Sequence, residues 1–222
     1  YHSSWVMEVL TVADALGWDQ FSLLCHSMGT MVGVTLAGAM PYRVRHMVLF
    51  DAVGPGSIEP EKSPLLLERA LKQRLQFLQR QPRVYKSVDE LVSRMMKSDS
   101  QLTEASARKL VERASELVPG GYTFSHDARL RGPSLSYMTE DQVLAYVARI
   151  SCPVLVVWAS TRWYKLNDER NRVREETFPN ATVARVQGNH HVHLEHPERV
   201  EALVLDFLAS EPPEKSQPSA RL

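Results

Sequence analysis

The sequence predicts an α/β fold in which a parallel sheet with flanking helices is interrupted by an all-helical cap insertion. Near both ends of the chain, short apolar runs with the character of buried strands alternate with segments of helical periodicity. This alternation is typical of parallel sheets joined by crossover helices. Between the two regions, residues 63–150 show helical signals almost alone. An insertion of that length is too long for a plain connection between two strands.

These signals divide the chain of 222 residues into three parts. Residues 1–54 and 151–209 are predicted to form the core, which holds the C-terminal part of a larger sheet. Residues 55–150 are predicted to form a helical cap or lid. Residues 210–222 are rich in Pro, Ser, Glu and Lys, and this composition predicts a disordered tail.

The core elements follow one another in a regular order. Helical periodicity predicts a first helix from Ser4 to Leu16 that ends at a glycine. Apolar runs predict buried strands, and helical spacing or capping signals predict the remaining helices. The predicted strands are 21–25, 44–51, 152–159 and 181–186, and the later core helices are 168–178 and 197–208.

Inside the insertion, the first helical signal is a series of leucines between Leu65 and Leu78. A capping box at Ser87–Glu90 opens the second helix, and apolar spacing predicts a third from Thr103 to Val118. A glycine pair after that helix predicts a turn and a short extended piece. A second capping box, Thr139–Gln142, opens a helix that ends near Arg149.

The first strand leads into Cys25-His26-Ser27-Met28-Gly29, which fits a nucleophile elbow. In this motif, G-x-S-x-G, a strained turn between a strand and a helix exposes a serine. The helix directs its N-terminal N–H groups toward the oxyanion that develops when the serine attacks a carbonyl. Cys25 replaces the first glycine of the motif. The alternative interpretation is that Ser27 is an ordinary helix N-cap.

The helix after Ser27 has small residues at successive four-residue steps, Gly29, Gly33 and Ala37. Residues spaced in this way share one helix face. We therefore expect this face to press closely on the sheet.

Composition argues against several classes of protein. Lys plus Arg and Asp plus Glu both number 26, so the formal net charge is zero, which disfavours nucleic-acid binding and a polybasic membrane anchor. The longest weakly polar run, residues 28–40, is shorter than the roughly 20 residues of a membrane span. Cys25 and Cys152 suggest no disulfide framework, and no secretory signal opens the sequence. A reducing compartment such as the cytoplasm is the default expectation.

Three features in this order resemble the α/β-hydrolase family. They are the elbow after a strand, a helical insertion after Asp51, and His190 followed by Glu195 and Pro197 before the last helix. The resemblance extends from residue 1 to about residue 208. Within the family, the chain is most similar to the serine hydrolase-like proteins of vertebrates. The shared sequences are Gly121-Tyr122, Asp127-Ala128-Arg129-Leu130 and Gly188-Asn189-His190-His191-Val192-His193.

The resemblance implies a catalytic triad with the order serine, acid, histidine along the chain. Ser27 is the implied nucleophile and His190 the implied base, because Glu195 and Pro197 follow His190 at the family's spacing. His191 remains an alternative base. The neighbouring histidines could also form a metal cluster, but adjacent histidines on a loop point apart and no cysteine or carboxylate pattern has zinc spacing. We therefore expect no metal.

Two aspartates are candidates for the acid of the triad. The family usually places it in G-x-x-D after the strand that ends here at Trp158, where this sequence has Ala159-Ser160-Thr161-Arg162. Asp168 lies farther on, and a longer loop could return it to the site. Asp51 ends the strand after the elbow helix, a position similar to that of the acid in some haloalkane dehalogenases. We expect Asp51 to be the acid of the triad, with Asp168 as the alternative. If Asp51 is not the acid, it is expected to cap a loop, and Asp168 in the same case is expected to be a helix N-cap.

The family's oxyanion hole uses the N–H of the residue after the nucleophile, here Met28, and a second N–H from a His-Gly loop after an early strand. This sequence contains no such loop and does not begin with Met. We expect an N-terminally incomplete chain, whether a splice product, a gene-model error or a domain cut from a larger protein. Its activity is expected to be impaired, because loss of one oxyanion donor costs on the order of a hundredfold in rate.

The predicted function is a serine hydrolase that cleaves a carboxylic ester or thioester of a small acyl substrate, without a cofactor. A serine at the elbow argues against dehalogenase or epoxide-hydrolase chemistry, which uses an aspartate nucleophile. Some apolar side chains of the insertion either line an acyl pocket or form its own core; they are Met95, Met96, Tyr122 and Phe124. The alternative function is a catalytically inactive binding protein on a hydrolase scaffold.

The sequence ends in Ala220-Arg221-Leu222, which resembles the S-K-L peroxisomal signal. A receptor reads this signal as an exposed C-terminus, and the polar tail before it supplies the flexibility that this requires. The pattern predicts a peroxisomal import receptor as a partner and the peroxisome as the location, with the cytoplasm as the alternative.

Overall fold

The computed structural model describes residues 2–79, 81–127, 130, 132–161 and 168–210, with the backbone alone at His2, Ser3 and Asp168. The peroxisomal signal and residues 211–222 of the predicted tail lie outside these residues. The α-helices are α1 (His2–Ala15), α2 (Met28–Ala39), α3 (Ser63–Leu78), α4 (Val88–Ser98), α5 (Glu104–Arg113), α6 (Glu140–Ala148), α7 (Asp168–Thr177), α8 (Val192–Glu195) and α9 (Glu201–Ala209). The strands are β1 (Phe21–His26), β2 (Val44–Phe50), β3 (Ser115–Val118), β4 (Gly121–Phe124), β5 (Val154–Ala159) and β6 (Ala181–Val186).

Four strands form a parallel sheet in the order β1-β2-β5-β6, which confirms the predicted parallel sheet. In the first pair, His26 at the end of β1 lies opposite Phe50 at the end of β2. The next residues along the chain, Ser27 and Asp51, therefore emerge side by side at the carboxyl edge of the sheet. The backbone N–H of Ser27 donates to the carbonyl of Phe50 at 3.2 Å.

The two central strands, β2 and β5, are buried on both faces, as near-continuous apolar strands require. Alternate residues point to opposite faces, so one side of β2 and β5 packs with α1, α2 and α6. The other side packs against the C-terminal helix through Val200 and Val204. The first face carries Met47, Leu49, Val154, Val156 and Trp158, and the second carries Val48, Phe50, Leu155, Val157 and Ala159.

The small residues of α2 do not all act as their spacing predicts. A Cβ on Gly33 would lie 2.5 Å from Sγ of Cys25, so this glycine gives the close approach of α2 to β1. Ala37 is fully buried. Gly29 has open space around it, so its predicted packing role is wrong. Gly38, which the four-residue pattern omits, lies against the backbone of Tyr146 in α6, where a Cβ would be 2.6 Å from the carbonyl oxygen.

The insertion is not all-helical, so that part of the predicted fold class is wrong. The third predicted helix ends at Arg113, and β3 and β4 form an antiparallel hairpin. Gly120 and Gly121 turn the chain with φ of 91° and 146°, values that side chains rarely allow. Tyr85 and Tyr122 then exchange two backbone hydrogen bonds of 2.8 Å. The pairing needs Gly121, since a Cβ there would lie 2.1 Å from the carbonyl oxygen of Tyr85.

The insertion has a small core of its own. Its buried members come from α4, α5 and the turn between these helices, and aromatic residues of β4 pack against them. These members are Leu91, Val92, Leu102, Ala107 and Val111. The last helix of the predicted cap, α6, instead joins the main core through Val143 and Val147. It begins with the predicted capping box, in which Thr139 and Gln142 bond each other's backbone N–H.

No helix in the described part of the chain is both long and apolar enough to cross a membrane.

Candidate active site

Ser27 stands at the turn between β1 and α2 in a strained conformation. Its φ is 52° and its ψ is −118°, in a region that residues with a side chain rarely adopt. It occupies the N-cap position of α2, but its side chain makes no capping hydrogen bond. The side chain of Ser27 therefore does not cap α2, and a strained serine at a turn between a strand and a helix is the geometry that a nucleophile elbow requires.

Asp51 also has a positive φ, 54°, immediately after β2. Its backbone N–H donates to the carbonyl of Val157, and its Oδ1 accepts from the N–H of Ala159 at 3.1 Å. The carboxylate is thus held by the end of β5, the strand beside β2. This leaves its second oxygen to face the loop that follows β6.

His190 lies on that loop and meets Asp51 directly. Nδ1 of His190 lies 2.7 Å from Oδ2 of Asp51, and both side chains are buried, at 4% and 2% exposure. A carboxylate at Nδ1 selects the tautomer that carries the proton on that nitrogen and leaves Nε2 as a base. The structure therefore brings together one predicted acid and one predicted base.

A cavity of about 540 Å³ opens at the carboxyl edge of the sheet. Ser27, Met28, Asp51 and His190 line it together. Met28 is the first residue of α2, and N–H groups of a helix's first turn have no acceptor within the helix. The apolar part of the wall comes mainly from the start of α2, the loop after β2 and the segment before α6: Met31, Val53, Pro55, Leu130, Pro133 and Leu135.

The other predicted base, His191, is directed elsewhere. Its Nε2 lies 2.7 Å from Oδ2 of Asp99, a residue at the end of α4 in the insertion. His191 is absent from the described wall of the cavity. The geometry thus favours His190 over His191 as the partner of Ser27.

The insertion holds the histidine loop through further contacts. The side-chain amide of Asn189 donates to the carbonyl of Gln101 at 2.7 Å. The backbone N–H and the hydroxyl of Thr103 donate to the two oxygens of Glu195, at 2.8 and 2.7 Å. We name residues 99–103 the clamp, since they bind the loop from Asn189 to Glu195. Sequence reasoning missed the clamp because no local pattern marks these residues.

The rings of four histidines cluster behind the site. His26 lies within 4.3 to 5.3 Å of His190, His191 and His193, measured between ring centroids. Burial, then the neighbouring histidines, lower the pKa of His26 to about 3, and burial also lowers the pKa of His193. His26 is therefore neutral at physiological pH, and its Nε2–H donates to the carbonyl of His190 at 2.8 Å.

Cys25, which replaces the first glycine of the elbow motif, is not a second nucleophile. It is buried at 6% exposure, and this burial raises the pKa of its thiol to about 12. Since the thiolate is the reactive form of cysteine, the thiol is inert near neutral pH.

The wall of the cavity opposite the histidine loop is braced by Arg174 of α7. Its guanidinium donates to the carbonyls of Val53 and Pro55 and to both oxygens of Glu140 in α6. Burial would raise the pKa of Glu140, but hydrogen bonds from Arg174 and Ser57 hold it below its usual value. The side chain of Asp168, the alternative acid, is outside the described structure.

The predicted acyl-pocket residues of the insertion belong to its own core. Met95, Met96, Tyr122 and Phe124 pack around the buried residues of α4 and α5. None of the four is in the described wall of the cavity. Of the two interpretations of these residues, the structure supports the core.

A family model described as alpha/beta hydrolase fold matches residues 2–197. The chain belongs to the α/β-hydrolase fold family. A serine hydrolase-like protein of Dictyostelium discoideum is 28% identical to it over 222 residues, covering 95% of this chain and 62% of that protein. A serine hydrolase-like protein of Danio rerio is 29% identical, covering 96% and 68%. This α/β hydrolase therefore spans about two thirds of the length of these relatives.

Among solved structures, a hypothetical protein of Pseudomonas aeruginosa PAO1 superimposes on this α/β hydrolase with a TM-score of 0.84. The two chains are 35% identical, and the match covers 94% of this chain and 73% of the other. The family membership and the parallel sheet predicted from the sequence are thereby confirmed.

Proposed function

We propose that this chain is a serine hydrolase that cleaves a carboxylic ester or thioester through an acyl-enzyme intermediate. Ser27 is the nucleophile, His190 the general base and Asp51 the acid. The single observation that carries the proposal is the buried hydrogen bond between Asp51 and His190, whose two residues line the same cavity as the strained Ser27.

The proposed reaction has two steps. Oγ of Ser27 attacks the carbonyl carbon while its proton passes to Nε2 of His190, and the N–H of Met28 stabilises the oxyanion. His190 then protonates the departing alcohol or thiol, which leaves an acyl group on Ser27. In the second step, His190 takes a proton from water and the resulting hydroxide attacks the carbonyl carbon of the acyl-enzyme. The bond from that carbon to Oγ of Ser27 then breaks, His190 returns the proton to Oγ, and the carboxylic acid is released. Asp51 stabilises the imidazolium in both steps.

Hydrolysis of 4-nitrophenyl hexanoate tests the proposal. The wild-type chain should release 4-nitrophenol above the blank rate, and Ser27→Ala should return the rate to the blank. Ser22→Ala is the matched control, because Ser22 is an exposed serine on β1, the strand that leads to Ser27, and it should retain the wild-type rate. Activity that survives in Ser27→Ala would contradict the proposed nucleophile, and a wild-type rate equal to the blank would favour a binding protein.

A further inference from the structure

In the described wall of the cavity, some charged side chains have a partner of opposite charge within the described part of the protein and one does not. Besides His190, the charged residues in the described part of this wall are Asp51, Arg74 and Arg174. Asp51 is bonded to His190 and to the N–H of Ala159. Arg174 is only 5% exposed and is paired with Glu140. The charges of these two residues are therefore matched by partners within the protein.

Arg74 is the exception. It lies on α3 of the insertion, one turn after Ala70, which is the buried residue of that helix. No hydrogen bond or ion pair links Arg74 to any other residue in the part of the chain that the structure describes. A positive charge beside a mainly apolar cavity is a common means of orienting a ligand that carries a negative charge.

A second unmatched donor lies in the same wall. Asn171 of α7 is buried at 7% exposure, and its Nδ2 makes no hydrogen bond within the described structure. A buried amide without a partner is costly to the folded state. Asn171 is part of the cavity wall but its Nδ2 is shielded from solvent, so a rotation of this side chain would be needed to bring the amide to an acceptor on a ligand.

We propose that the substrate of this hydrolase carries an anionic oxygen group, a carboxylate or a phosphate, remote from the scissile carbonyl, and that Arg74 and Asn171 receive it. In the described wall the two unmatched groups are both donors, whereas the carboxylate of Asp51 already accepts hydrogen bonds. A substrate with an apolar body and one anionic end would match both the apolar part of this wall and its unmatched donors. This proposal adds a substrate class to the proposed function, and it rests on that function for the assumption that the bond cleaved is an ester or thioester.

Binding to the Ser27→Ala chain tests the anionic end without any need for catalysis. An NMR titration should show monomethyl adipate binding about tenfold more tightly than methyl hexanoate, which has the same acyl length and no charge. Arg74→Gln should abolish the preference, and Arg74→Lys should retain most of it. Arg69→Gln, the same change at an exposed position of α3, should leave the preference intact. Equal affinities, or a preference that survives in Arg74→Gln, would overturn the proposal.

Two further measurements show which half of the substrate carries the anionic group, and whether a negative result contradicts this inference or the proposed function. The hexanoyl ester of glycolate carries its carboxylate on the alcohol side, so its affinity relative to monomethyl adipate shows which half of the substrate faces Arg74. Hydrolysis of the 4-nitrophenyl esters of adipate and hexanoate by the wild-type chain then tests the chemistry. A binding preference that depends on Arg74, without any hydrolysis, would contradict the proposed function but support this inference. Equal binding of the charged and uncharged esters, with equal rates of hydrolysis, would support the proposed function and contradict this inference.

Asn171→Leu gives an independent readout. Replacing an unpaired buried amide with an apolar side chain of similar shape should raise the melting temperature of the free protein. The same change should weaken the binding of monomethyl adipate. An unchanged affinity would exclude Asn171 from the site.

Discussion

Oδ2 of Asp51 lies 2.7 Å from Nδ1 of His190, although 139 positions separate the two residues in the sequence. The topology explains the meeting. Asp51 follows β2, and His190 follows β6, and these two strands flank β5 in a parallel sheet. Their carboxyl ends share one edge, so the loop after β6 has only to cross the end of β5 to reach Asp51.

Asp51→Asn should lower kcat by a thousandfold or more, on the order found for the acid of serine proteases. The amide cannot stabilise the imidazolium and favours the wrong tautomer of His190. The matched control is Asp99→Asn, which alters a second aspartate–histidine pair, with His191, at the same distance of 2.7 Å. Steady-state kinetics should show less than about a tenfold loss for this control. Similar losses in both variants, or a steep loss in Asp168→Asn alone, would contradict the assignment of Asp51.

The bond between Glu195 and Thr103 should control the position of the histidine loop. Glu195→Ala removes both acceptors of the clamp residue Thr103, and we expect kcat to fall about tenfold, since small displacements of a catalytic group are costly. Hydrogen exchange at residues 188–195 should become faster. Glu198→Ala, which alters an exposed carboxylate nearby, is the control. Unchanged exchange in Glu195→Ala would show that the clamp does not order the loop.

Gly33→Ala should destabilise the fold by about 1–3 kcal/mol, because the new methyl group would collide with Sγ of Cys25. Cys25→Ala should restore much of the loss in the double variant. Gly29→Ala, on the same helix with open space at its Cβ position, should cost nothing. Urea unfolding of the four variants measures these differences, and additive effects of the Gly33 and Cys25 changes would contradict the predicted contact.

Stability should fall as the pH falls below about 6.5. The folded pKa of His26, about 3, lies below its unfolded value of 6.5, so between these values the unfolded chain binds the extra proton. The free energy of unfolding then decreases by up to about 1.4 kcal/mol per pH unit from this group, and less to the extent that water reaches the ring. His26→Gln keeps a donor for the carbonyl of His190 but cannot titrate. Urea titrations from pH 7 to 5 should therefore show a shallower slope for the variant, and an equal slope would assign the effect to other groups.

Much of the fold could be predicted because its signals are local. The strand over residues 181–186 has the predicted bounds, and the capping box of Thr139 and Gln142 marks the start of α6. The turn and β4 lie where a turn and a short extended piece were predicted, whereas β3 was missed because apolar residues at helical spacing run into this four-residue strand. In this case the antiparallel pairing of β3 with β4 overrides the local helical preference.

The residues of the site also divide into those that local sequence could predict and those that it could not. Ser27 and the loop of His190 have recognisable neighbours in the sequence, so they could be proposed from it. The choice between Asp51 and Asp168 depends on how strands are ordered in the sheet, which spacing along the chain does not reveal. The partners of the histidine loop, such as Asp99, lie about ninety positions away in the sequence and carry no motif.

The most direct test of the central claim is labelling with a fluorophosphonate, which reacts with serines activated by a neighbouring base. We predict that one equivalent adds to the wild-type chain, that peptide mass spectrometry places it on Ser27, and that Ser27→Ala and His190→Ala both prevent it. Absence of labelling in the wild-type chain, or an adduct at another residue, would contradict the account.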